Sequence, residues 1–106
     1  MTFSLNSNLA TKPTLKDGSK NGNTMTFKSS CTMSLVFMMN NVAQYGKHSV
    51  YLIIRQPTTN EIIPISIVNT DEDGGIINSG SYTDGIYTFD ITHNTDYYTY
   101  RMLEIA

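Results

Sequence analysis

Cysteine is nearly absent from this chain, and the single Cys31 excludes an intrachain disulfide framework while leaving the redox compartment unmarked. Tryptophan is missing altogether, so an indole platform for sugar binding is excluded. Charge is scarce: Asp, Glu, Lys and Arg make up 15% of the 106 residues, against about 25% in an average chain. A net charge of −2 gives no basic excess with which to neutralise phosphates, so nucleic acid is not an expected partner. Long hydrophobic runs are missing too. Leu35 to Met39 and Val50 to Ile54 are five residues each, against about 20 for a membrane-spanning helix, so no membrane insertion is expected. The start, Met1-Thr2-Phe3-Ser4-Leu5-Asn6, has neither the basic nor the apolar region of a signal peptide. None of the ten asparagines lies in an Asn-x-Ser/Thr sequon.

Neutral polarity takes the place of charge. Thr (14), Ser (10) and Asn (10) fill 34 positions, a composition suited to turns and hydroxyl-lined strands. Hydrophobic residues reach 40%, and no block of like charge exceeds Asp71-Glu72-Asp73, which argues for a folded chain. The length predicts one domain over 1–106.

The apolar residues recur with period two. Met33, Leu35, Phe37 and Met39 alternate with Thr32, Ser34, Val36 and Met38, and Val50, Leu52 and Ile54 alternate with Ser49, Tyr51 and Ile53. Tyr87, Phe89 and Ile91 alternate with Thr88 and Asp90, while Ile63, Ile65 and Ile67 form a fourth inward set with Pro64 off that face. These are half-buried strands, and Pro64 suits a sheet edge because it cannot donate to a ladder. Met25 with Phe27 and Phe3 with Leu5 mark two further strands. In Tyr97 to Ile105 the inward face is open between Tyr98, Tyr100 and Met102 on one side and Leu103 and Ile105 on the other. Turn residues fill nearly every gap, as at Asp17-Gly18-Ser19-Lys20-Asn21-Gly22 and Asp84-Gly85. The pattern predicts an all-β antiparallel two-sheet β-sandwich of 7–8 strands, jelly-roll-like or immunoglobulin-like.

Chemistry-bearing residues are thinly spread. Asn69, Asp71 and Asp73 hold positions 1, 3 and 5 of a calcium-loop pattern with Gly74 at 6, but Gly80 stands where the closing Glu belongs, so they make a weak calcium candidate beside an acidic hairpin loop. His48 and His93 are too far apart for a zinc motif and read as surface residues. Cys31, at the start of an apolar strand, reads as a small core hydrophobe. No catalytic residues and no cofactor are expected, and the chain is read as no enzyme.

Seven tyrosines offer flat apolar area with polar tips. Tyr97, Tyr98 and Tyr100 beside Asn94 and Asp96 are the candidate ligand-binding face, for carbohydrate or protein. Gln56-Pro57-Thr58-Thr59-Asn60 is similar to the Asn-Pro-Thr-Thr-Gly loop of chagasin-like cysteine-protease inhibitors. The similarity covers five residues and departs at both ends, and the family's companion loops are missing, so inhibition does not carry over.

Charge divides unevenly. Residues 1–55 hold six of the seven Lys/Arg and one acid, and residues 56–106 hold Arg101 and eight acids. Interleaved strands would neutralise this split locally; a dipolar subunit would associate head to tail. The expected function is a non-catalytic structural or adhesive interaction module, extracellular or virion-associated, with a protein partner or self-association. The alternatives are a small carbohydrate- or ligand-binding module using surface tyrosines, and an inhibitor or effector that docks a loop into a partner. Self-association is expected through a terminal strand, Phe3 to Leu5 or Tyr97 to Ile105, because neither carries an edge-guarding Pro or Lys.

Overall fold

The structure, a computed structural model, describes residues 14–41, 47–68, 73–93 and 98–106. Nine strands and no helix form among them: β1 (Leu15–Asp17), β2 (Ser19–Asn21), β3 (Thr24–Lys28), β4 (Met33–Asn40), β5 (His48–Arg55), β6 (Ile62–Ser66), β7 (Ile76–Thr83), β8 (Ile86–Thr92) and β9 (Tyr98–Glu104). They build a five-stranded sheet, β1-β9-β4-β5-β6, and a four-stranded sheet, β2-β3-β8-β7, antiparallel throughout. The expected sandwich of two antiparallel sheets is present. The expected strand at Phe3 and Leu5 lies outside the described residues.

The stretch read as one long turn, Asp17 to Gly22, is instead a strand that changes sheets. β1 closes on β9, the chain crosses at Gly18, and β2 continues on β3. A side chain at Gly18 would meet the Phe27 ring at 2.7 Å, so the crossing needs glycine for close approach to the core. Asp84 and Gly85 behave as their dipeptide predicts: both take positive φ, 52° and 79°, in a two-residue turn joining β7 to β8.

Between the sheets lie Met25, Phe27, Val36, Met38, Tyr51, Ile53, Ile77, Tyr87, Phe89, Ile91, Tyr98, Tyr100 and Met102. Tyr87, Phe89 and Ile91 point inward as expected. In β4 and β5 the expected parity is reversed. Ser34, Val36, Met38 and Asn40 are buried and Leu35, Phe37 and Met39 face outward; Ser49, Tyr51, Ile53 and Arg55 are buried and Val50, Leu52 and Ile54 face outward. Polar groups explain how the inward set is tolerated. Ser49 donates to the Gly75 carbonyl at 2.6 Å, Asn40 to the Asp73 carbonyl at 3.1 Å, and the Tyr51 hydroxyl accepts from the Ile77 amide at 3.2 Å. Interior hydrogen bonds of this type remove the desolvation penalty that would otherwise select the more apolar face.

The inward set proposed for β6 is also corrected. Ile63, Ile65 and Ile67 are 51%, 42% and 55% exposed, and Ile62 is the β6 residue that packs against the core. Pro64 does sit on an edge strand. In β9 the inward side is Tyr98, Tyr100 and Met102. That strand pairs with β4 from Tyr98 to Glu104 and with β1 at Arg101 to Leu103, so it is an interior strand of the sheet over that stretch.

The charge split resolves by interleaving. Lys16 meets Glu104 at 3.4 Å, Arg101 meets Asp17 at 3.2 Å, and Lys47 meets Asp73 at 3.5 Å, each pair joining the two halves of the sequence.

Candidate interaction surface

The reversed parity of β4 and β5 creates the most distinctive surface of the molecule. Cross-strand register aligns Leu15, Leu103, Leu35, Leu52 and Ile65 in one row across all five strands of the larger sheet. A second row runs Asp17, Arg101, Phe37 and Val50, and a third runs Met33, Ile54 and Ile63. All of these point away from the core. Among the described residues no element covers them, and Leu15, Met33, Ile63 and Ile65 are exposed. A shallow depression of about 340 Å³, lined by Leu15, Phe37, Met39, Arg101 and Leu103, marks the β1/β9 side of this face.

The outer face of the smaller sheet is built from different residues. Its central row is Ser19, Thr26, Thr88 and Ser81, a ladder of four hydroxyls. Beside it, Thr24, Asp90 and Ser79 form a polar row, and Asn78, displaced by the bulge in β7, donates to Asp90 at 3.3 Å and Thr92 at 2.8 Å. This is the usual solvated face of an antiparallel sheet.

The residues singled out from sequence do not meet in one place. Tyr98 and Tyr100 are interior, 8% and 7% exposed, their rings stacked at 5.9 Å with the Tyr98 hydroxyl donating to the Asp73 carbonyl at 2.9 Å. Neither belongs to a surface recognition face, because the packing side of β9 claimed them. Tyr97 and Asn94 lie outside the described residues, as do Asn69 and Asp71 of the calcium pattern; Asp73 pairs with Lys47. His48 is exposed, whereas His93 is half-buried with its ring edge-on to Tyr98 at 5.3 Å, not the surface residue expected. Cys31 is buried with its sulfur 4.0 Å from that of Met102, in keeping with a core role.

Sequence reasoning missed Arg55, the one buried cation among the described residues. Its guanidinium donates to the carbonyls of Ser30 (2.9 Å) and Cys31 (3.1 Å), to the Tyr87 hydroxyl (2.9 Å) and to Asn60 Oδ1 (3.1 Å), and lies 4.0 Å over the Tyr82 ring. Tyr87 in turn donates to the Cys31 carbonyl. Burial pushes the Tyr87 phenol up to about 12, partly opposed by its hydrogen bond from Arg55. The cluster links the sheets and pins Asn60, held at φ 60°, in the loop that resembles the inhibitor sequence. Its donors are turned inward onto protein acceptors, as a clamp requires and a ligand site does not. The signal in the sequence was an arginine on the polar-interrupted parity of β5, Ser49-x-Tyr51-x-Ile53-x-Arg55.

Compared with protein-family models, curated proteins and solved structures, the chain finds no match.

Proposed function

We propose that the chain is a non-catalytic structural or adhesive interaction module of a cell surface or virion, acting through the outer face of its five-stranded sheet. The observation that carries this reading is the row Leu15, Leu103, Leu35, Leu52, Ile65, apolar across every strand of the sheet and, among the described residues, covered by no element on its outer side. The 31 strand residues of that sheet, at ~3.3 Å rise and ~4.8 Å spacing, give a face on the order of 500 Å² in projection. Apolar side chains fill most of the outward positions of that face, with Asp17, Arg101, Thr99 and His48 among them, and the largest apolar patch of a chain is often functional. Guarded edges support the same reading. β1 and β2 are three residues long and carry Lys16 and Lys20, β6 carries Pro64, and β7 is bulged at Asn78. Each device blunts strand addition, which leaves the face as the surface suited to contact.

The test places a photo-crosslinking benzoylphenylalanine at Leu52, and separately at Thr88 on the hydroxyl face, in the cells that make the chain. Crosslinking to protein is expected from position 52 and not from 88. Equal yields from both positions, or none from either, would overturn the proposal.

A further inference from the structure

We infer that the partner of the apolar face is a protein segment carrying a carboxylate beside a large apolar side chain, and that it seats both at Arg101. The inference rests on the interaction reading above and names the chemistry of the partner. Arg101 and Asp17 are the only Lys, Arg, Asp or Glu residues at outward positions of the five strands. The depression of about 340 Å³ has Arg101 in its lining, and its other lining residues, Leu15, Phe37, Met39 and Leu103, are all apolar. A hydrocarbon floor with one cation in it suits a ligand that is apolar with one anionic group. The depression is shallow, whereas a small-molecule site buries most of its ligand. A protein segment, which also covers the rows of leucine and isoleucine around it, fits this shape better.

The two arginines of the larger sheet show why Arg101 is the anchor. Arg55 directs its donors to the Ser30 and Cys31 carbonyls, Tyr87 and Asn60, and so is saturated by the fold. Arg101 has one ionic partner among the described residues, Asp17, whose Oδ1 lies 3.2 Å from its Nε. The two terminal nitrogens of that guanidinium are not engaged by any described residue, so its outer fork is open. Asp17 is 83% exposed against 44% for Arg101, and a pair so wet is held weakly. The guanidinium therefore rests half-buried on hydrocarbon, with part of its hydration lost and little returned by the protein. A carboxylate delivered under an apolar side chain can bond the open fork through two parallel N–H···O bonds. Exclusion of water by that side chain lowers the local dielectric and strengthens the attraction. A lysine in the same place would be repelled. Arginine among large apolar side chains is also a common make-up of the residues that dominate protein interfaces.

Two-dimensional amide NMR of the full chain tests this, with blocked tetrapeptides added to about 10 mM to detect weak binding. The peptide acetyl-Gly-Glu-Phe-Gly-amide should shift the amides of Leu15, Phe37, Arg101 and Leu103 saturably. Its Gln counterpart should bind about fivefold more weakly, and its Lys counterpart more weakly still. Arg101→Gln should make the Glu and Gln peptides equal; Arg101→Lys, which keeps the charge without the fork, should keep only part of the preference. Arg101 is partly exposed, so both variants should retain the circular dichroism of the wild type. Phe37→Ala should weaken the Glu and Gln peptides alike, because it removes an apolar wall and leaves the guanidinium. A Glu peptide that binds the wild type no better than its Gln counterpart, or that keeps its advantage in Arg101→Gln, overturns the inference and leaves the interaction reading intact. Absence of any shift on this face overturns it equally, while the crosslinking from position 52 judges the interaction reading on its own.

Discussion

The two outer faces of the sandwich follow opposite rules. The smaller sheet presents Ser19, Thr26, Thr88 and Ser81 in a row, and the larger presents Leu15, Leu103, Leu35, Leu52 and Ile65. Strand propensity does not separate the two rows, since Thr26 and Thr88 in one and Ile65 in the other all pack well on a pleated surface. They differ in what they ask of the surroundings. A hydroxyl ladder is content in water, whereas the aliphatic row forfeits about 25 cal/mol for each Å² left wet. With a shared core and shared backbone pairing, the contrast isolates what folding does not explain. The larger sheet is apolar on both sides, and the core uses only one of them.

The most severe break of this contrast gives the smaller sheet an apolar face as well. Thr26→Val, Ser81→Val and Thr88→Val together keep or raise strand propensity, so the monomer should fold. With apolar faces on both sides of the sandwich, contacts can propagate in both directions as an open stack. Species larger than any the unmodified chain forms should appear in sedimentation velocity, and an unchanged size would show that an apolar face alone does not drive association. Next in size is a pair of neighbours on β5. Ile53→Ala, at a fully buried inward position, should cost about 2–4 kcal/mol. Leu52→Ala, on the outward side, should cost under about 1 kcal/mol. Urea titration of both reads the difference, and equal losses would refute the parity. Smaller again is Arg55→Met, which strips donors from the Ser30 and Cys31 carbonyls and the Tyr87 hydroxyl. Its expected cost is about 1–3 kcal/mol in the same titration; a neutral result would mean that the clamp between the sheets adds nothing.

These contrasts also mark what the sequence reveals. Strand positions are legible because turn residues punctuate them, and the inward face of β8 is legible because Thr88 and Asp90 alternate with Tyr87, Phe89 and Ile91. β4 and β5 defeat the same reasoning: when Leu35 and Val36, or Leu52 and Ile53, are equally apolar, period two has no amplitude. The buried face there carries Ser49, Asn40 and Arg55, because turns and the opposite sheet supply their partners, and those partners are remote in sequence. The apolar outer face is hidden for the same reason, since its rows exist only once the register of five strands is known. Tyr98 and Tyr100 show the converse error. An aromatic cluster near turn residues suggests recognition, yet two of its members complete the core.

The smallest effect concerns Tyr87, which joins the sheets whose outer faces differ so much. Its phenol is buried and bonded to Arg55 and the Cys31 carbonyl, and burial raises its pKa to about 12. An unfolded tyrosine titrates near 10. Between these values the unfolded chain has lost a proton that the folded chain retains, so the unfolded state gains as pH rises. The stability linked to Tyr87 is therefore fully present below about pH 10 and is lost progressively towards 12. Tyr87→Phe isolates this contribution from the rest of the chain's response to alkali. The wild type should exceed the variant in urea midpoint at pH 8, where the hydroxyl's bonds to Arg55 and Cys31 are intact. That advantage should shrink steadily from pH 10 upwards. A gap that stays constant to pH 11.5 would mean that the phenol ionises in the folded chain as readily as in the unfolded one.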